Sequence, residues 1–138
     1  MAIHRVLAVG RWVVDFIFAT KYYDVDGILS CLYDAGAPRW VMENAGELMS
    51  EGKYNTGFTY TNPAIHRAVV VVGPTTSGAE FANTISHELY HLAVAISGEL
   101  GIDLEGEAPA YLLGDTLQSL VSVVCELGCD KCNHKNLQ

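Results

Sequence analysis

Residues 77–98 read SGAEFANTISHELYHLAVAISG, and this stretch decides the fold. Ser77 and Glu80 stand in the Ser-x-x-Glu form of a capping box, in which each side chain satisfies an orphan amide at a helix start. Behind that cap, Phe81, Ile85, Leu89, Leu92 and Ile96 recur at the spacing of one helical face. The stretch is therefore predicted to form a helix from about Gly78 to Gly98 with its apolar stripe on the core. Within it, His87, Glu88 and His91 make the pattern H-E-x-x-H. Residues i and i+4 lie one turn apart, so both imidazoles can direct a nitrogen at one zinc ion, about 2.0–2.1 Å away. On a helical wheel the two histidines point about 140° from the stripe, so they are not core filler. Glu88 is rotated by about 100° from His87, which makes it a poor ligand but places it to reach a water on the metal. Zinc lowers the pKa of such a water toward about 7, and a carboxylate beside it takes the proton as the water attacks a polarised carbonyl. H-E-x-x-H also occurs by chance on ordinary helices; here a strand precedes the helix and a carboxylate-rich stretch follows it.

A catalytic zinc takes three protein ligands and keeps a fourth position open. Downstream candidates are Asp103, Glu105, Glu107 and Asp115. Pro109 is tolerated only in the first turn of a helix, so the last long helix is predicted to begin near Glu105–Glu107 and run to about Leu127. Glu107, Ala110, Tyr111 and Gly114 share one face of it, and the small Ala110 and Gly114 predict a close helix contact that carries Glu107 to the histidines, with Glu105 in reserve. The plainer reading of Glu107 is an acidic residue favoured at a helix N-terminus by the macrodipole. Farther on, Cys125, Cys129, Cys132 and His134 offer the donors of a small structural zinc site. Cys125 can equally be core on the inner face of the last helix, with the others as thiols of a tail.

Upstream, Thr- and Tyr-rich residues from Asn55 to Thr61, a turn at Asn62-Pro63 and the run Arg67–Val72 read as a hairpin whose second strand is buried on both faces or covered by a helix. Asp24–Tyr33 places Val25, Ile28, Leu29 and Leu32 at helical spacing and ends near Gly36, and Pro38 opens a second short helix through about Glu51. Residues 3–20 have strand composition, although Trp12–Phe18 could also begin a helix. The expected fold is α+β: a small antiparallel sheet or hairpin packed on a central H-E-x-x-H helix, followed by a glutamate-bearing helix.

The 138 residues suit a single domain, and 50% hydrophobic against 17% charged content, with a mean hydropathy of +0.21, excludes a disordered tail, a coiled coil or a collagen-like chain. A net charge of −8 with no basic cluster speaks against nucleic-acid binding through phosphates. Arg11 and Asp15 interrupt the apolar N-terminal run, and no stretch approaches the roughly 20 residues of a membrane span. Three of the four cysteines fall in the last fourteen residues, unlike a secreted disulfide framework, so a cytoplasmic protein is expected.

His87-Glu88-x-x-His91 with a glutamate on the next helix resembles the gluzincin branch of zinc metallopeptidases. The strand-then-helix order and the Glu107-x-x-Ala110-Tyr111-x-x-Gly114 segment are similar to small zincin-like proteins of phages and mobile elements, over about residues 55–125. The resemblance implies a peptidase with zinc on His87, His91 and Glu107, Glu88 as general base and acid, and a peptide or protein substrate along the edge of the Arg67–Val72 strand. It departs from the family at Tyr111, where many gluzincins carry an aspartate, and in lacking an evident oxyanion-stabilising group; Tyr111, Tyr90, Tyr60 and His66 are the candidates. The runner-up reading is a zinc-holding binding or regulatory module without turnover, and a third is a metal-free assembly protein with an incidental motif.

Overall fold

The computed structural model describes residues 2–51 and 57–128. Strands β1 (Ile3–Val9) and β2 (Trp12–Phe18) form an antiparallel hairpin that pairs Val9 with Trp12 across Gly10-Arg11. Gly10 takes φ 60°, the positive value that a two-residue turn with glycine first requires. The alternative of a helix at Trp12–Phe18 is thus excluded, as its β-branched and aromatic content favours a pleated strand. Strands β3 (Gly57–Asn62) and β4 (Arg67–Val72) form the second hairpin; Asn55 and Thr56, read with it, lie outside the described residues.

The four strands lie in the order β1-β2-β4-β3, and β2 pairs with β4 in parallel. The fold is α+β, but the expectation of a purely antiparallel sheet is corrected: the sheet is mixed. Parallel neighbours need a long crossover, and here α1 (Val25–Asp34), α2 (Arg39–Ser50) and β3 all lie between β2 and β4. The order also corrects the expected substrate edge, because β4 is flanked on both sides and has no free backbone edge. Among the described strands the edges are β1 and β3, and β3 is the one beside β4.

Side chains alternate across the sheet and separate two cores. Val14, Phe16, Phe18, Ala68, Val70 and Val72 pack with Phe81, Ile85, Leu89, Leu92 and Ile96 of α3 (Gly78–Glu99). Ile17, Val69 and Val71 pack on the other face with Ile28 and Leu32 of α1 and Ala45 and Met49 of α2. The valine run of β4 is buried on both faces, the first of the two alternatives its composition left open. Helix α3 starts as read: Ser77 Oγ accepts from Glu80 N at 3.1 Å. The Glu80 carboxylate turns to Thr76 instead of Ser77, accepting from its amide at 2.9 Å and its hydroxyl at 2.7 Å, and these bonds lower the Glu80 pKa. Among the described residues, no helix is long and apolar enough to cross a membrane.

The single last helix expected to reach Leu127 is instead two, α4 (Glu107–Ser119) and α5 (Val121–Gly128). Thr116 and Ser119 direct their hydroxyls at the carbonyls of Leu112 and Asp115, one turn back, a pattern that bends helices. The break at Leu120 then lets both Leu120 and Val123 bury against the α3 side of the sheet. The packing of α4 also corrects the small-residue contact. Leu112, Leu113 and Leu117 turn to the core, and the face of Glu107, Ala110, Tyr111 and Gly114 is exposed. The three leucines bury more apolar area than the small-residue face would, and they set the rotation of the helix. A Cβ on Gly114 meets nothing within 4 Å, so Gly114→Ala is expected to stabilise the protein by about 1 kcal/mol through helix propensity alone, read as a higher urea midpoint.

Candidate metal centre

His87 and His91 stand exposed on successive turns of α3, with their Nε2 atoms 3.1 Å apart and their rings crossed at 79°. Two nitrogens each about 2.05 Å from a tetrahedral zinc would lie about 3.3 Å apart, close to the separation of these two. Glu88, between them in sequence, is only 4% exposed. Its Oε1 accepts from the Thr59 hydroxyl at 2.8 Å, and the same hydroxyl lies 3.3 Å from the Glu88 carbonyl. Helix α3 thus presents two imidazoles to solvent, while edge strand β3 clamps the carboxylate beside them. The three side chains share a cleft of about 410 Å³ with Gly57, Phe58, Thr59 and Thr61.

Gly57 allows that clamp. A Cβ there would stand 2.5 Å from the Val71 carbonyl oxygen, 3.1 Å from Thr84 Cγ2 and 3.2 Å from Glu88 Cγ. The nearest of these atoms is backbone in the sheet and cannot swing aside. Gly57→Ala is therefore expected to cost about 1–3 kcal/mol, measured by chemical denaturation, and to push β3 away from Glu88.

Glu107 is the first residue of α4 and is exposed. Its carboxylate and the two imidazoles do not lie within 4.8 Å of one another; among the described residues the trio that does is His4, Asp15 and Cys31. Nor do Glu105, held in reserve, or the other downstream candidates Asp103 and Asp115 form such a set among the described residues. Asp103 Oδ1 accepts from Glu105 N at 3.0 Å within the loop before α4, and Asp115 lines a crevice against Leu7–Gly10. The proposed oxyanion groups also lie outside the cleft. Tyr60 packs on the α1/α2 side and donates to the Gly36 carbonyl at 3.3 Å. His66, at φ 53° between β3 and β4, lies 2.8 Å from Glu99 and edge-on to Trp12. Tyr111 and Tyr90 are exposed on α4 and α3. The polar groups within the cleft that sequence reading missed are the Thr59 and Thr61 hydroxyls; their signal was the i, i+2 spacing with Gly57 on one face of the edge strand.

The His4–Asp15–Cys31 trio lies across the sheet from His87 and His91, on the α1 side. Burial pushes the Cys31 thiol up to about 11, and the Asp15 and Asp34 carboxylates add to the rise, so the thiol stays protonated at neutral pH. Cys125 is exposed on α5, which corrects its reading as inner-face core; Cys129, Cys132 and His134 lie outside the described residues. No protein-family model matches this chain, and no curated protein or solved structure matches it significantly.

Proposed function

We propose that the chain is a zinc-dependent peptidase of the gluzincin kind, intracellular, acting on a peptide or protein segment laid against β3. The observation that carries this reading is the 3.1 Å separation of the His87 and His91 Nε2 atoms beside a buried carboxylate in one cleft. Zinc bound there would supply Lewis acidity and a more acidic water. Glu88 takes a proton from the attacking water and returns it to the leaving amine; the Thr59 hydroxyl occupies one of its oxygens and fixes its orientation. The open edge of β3 offers backbone groups for an added strand. Successive side chains of such a strand would face the histidine cleft and, alternately, the groove that Phe58 and Tyr60 line with Trp40, Val41 and Leu48. We assign the third ligand to Glu107, the exposed first residue of α4.

A second reading keeps the zinc and drops turnover, giving a binding or regulatory module of phage or mobile-element origin. What favours it is the position of Tyr60, Tyr90, Tyr111 and His66 outside the cleft. Incubating the zinc-loaded protein with a degenerate peptide library and sequencing the new N-termini separates the two. Chelator-sensitive cleavage supports the peptidase; binding of library members without new termini would replace it by the module.

A further inference from the structure

The second cluster lies where β1, β2 and α1 meet. His4 Nε2 stands 2.9 Å from Asp15 Oδ1 and 4.0 Å from Cys31 Sγ, and the three donor atoms all lie within 4.8 Å of one another. Both contacts of His4 use the same nitrogen. A nucleophilic cysteine relay would need the carboxylate on one ring nitrogen and the thiol on the other, so the arrangement does not suit a Cys-His-Asp triad. It does suit three donors converging on one point.

We propose that His4, Asp15 and Cys31 form a second divalent-cation site, selective for zinc-class ions, independent of the His87/His91 pair and on the opposite face of the sheet. One imidazole, one carboxylate and one sulfur are a borderline-soft donor set, which favours zinc over magnesium or calcium. Tetrahedral zinc would set the N···O separation at about 3.4 Å and the N···S separation at about 3.6 Å, so each observed contact needs to change by only about 0.5 Å. Asp15 is only 6% exposed, unlike the surface carboxylates that cluster without binding anything. Arg67 holds it by the far oxygen, with Nη2 3.3 Å from Oδ2, and so leaves Oδ1 turned to His4, the outer-shell support that orients ligating carboxylates. Asp34 and Asp24 add negative charge around Cys31, which Arg67 opposes only in part, a field that attracts a cation. A bound ion would displace the Cys31 thiol proton to solvent as the metal–sulfur bond forms, and would tie edge strand β1 to β2 and α1.

The test uses the full chain carrying His87→Ala, His91→Ala, Cys125→Ser, Cys129→Ser and Cys132→Ser, which leaves Cys31 as its last thiol. Titration with cobalt(II) should load one ion per chain and produce a thiolate-to-cobalt charge-transfer band, and zinc should displace it and raise the melting temperature. Adding Cys31→Ser should abolish the band, and adding His4→Gln should weaken binding by at least the 10–100-fold typical even of outer-shell losses. His4 is exposed and keeps its strand pairing in that variant, so the second arm stands even if Cys31→Ser unfolds the chain; circular dichroism checks both. No charge-transfer band, a band that survives Cys31→Ser, or unchanged affinity in His4→Gln overturns the site. None of these outcomes depends on peptide turnover.

Discussion

Replacing Glu88 by glutamine should lower hydrolysis of any cleaved peptide by about 10²–10⁴-fold while zinc stays bound, because general acid–base catalysis contributes about that factor. The geometry favours a clean separation of roles. Glu88 is buried and accepts from Thr59, and the amide oxygen of glutamine can accept the same hydrogen bond. Volume and orientation are kept, and only the ability to take a proton is removed. Steady-state kinetics on a library-selected peptide, with zinc content measured on the same sample, checks the result. Undiminished turnover would remove Glu88 from the mechanism, and equal loss of zinc would show it to be a ligand.

His87→Ala or His91→Ala should each abolish stoichiometric zinc at the α3 site, with affinity falling by more than about 100-fold, since even outer-shell losses cost 10–100-fold. Both side chains are exposed, so the variants should keep their stability within about 0.5 kcal/mol. Dialysis against a weak chelator followed by elemental analysis reads the effect. Glu107→Gln belongs in the same series: a neutral amide is a poorer zinc ligand than a carboxylate, and unchanged retention there would place the third donor elsewhere. The series is best run with Cys31→Ser in the background, which keeps metal at the His4 cluster out of the count.

What could be read from the sequence was local. The span and buried stripe of α3 follow from Ser77 and a single periodicity, and the double burial of β4 follows from its valine run. The parallel pairing of β2 with β4 joins strands that α1, α2 and β3 separate, and no local pattern specifies which strand will be a neighbour. The break at Leu120 was hidden because apolar residues continue through it at helical spacing; it arises from two hydroxyls that bond backward and from a core that receives Val123. At the site, i and i+4 spacing was enough to bring the two imidazoles together. The clamp on Glu88 was not legible, because it depends on how closely Gly57 lets β3 approach α3. Asp15 was visible only as a charge interrupting an apolar run. Its partners His4 and Arg67 lie 11 and 52 residues away, distances at which chemistry is assembled by the sheet and not by neighbouring residues.

Anomalous diffraction at the zinc edge, from crystals of the full chain grown with zinc, tests the central claim most directly. The account predicts a peak in the cleft between α3 and β3, about 2.0–2.1 Å from Nε2 of both His87 and His91. A peak confined to the His4 cluster or to the C-terminal cysteines, or no peak between the two imidazoles, would contradict it.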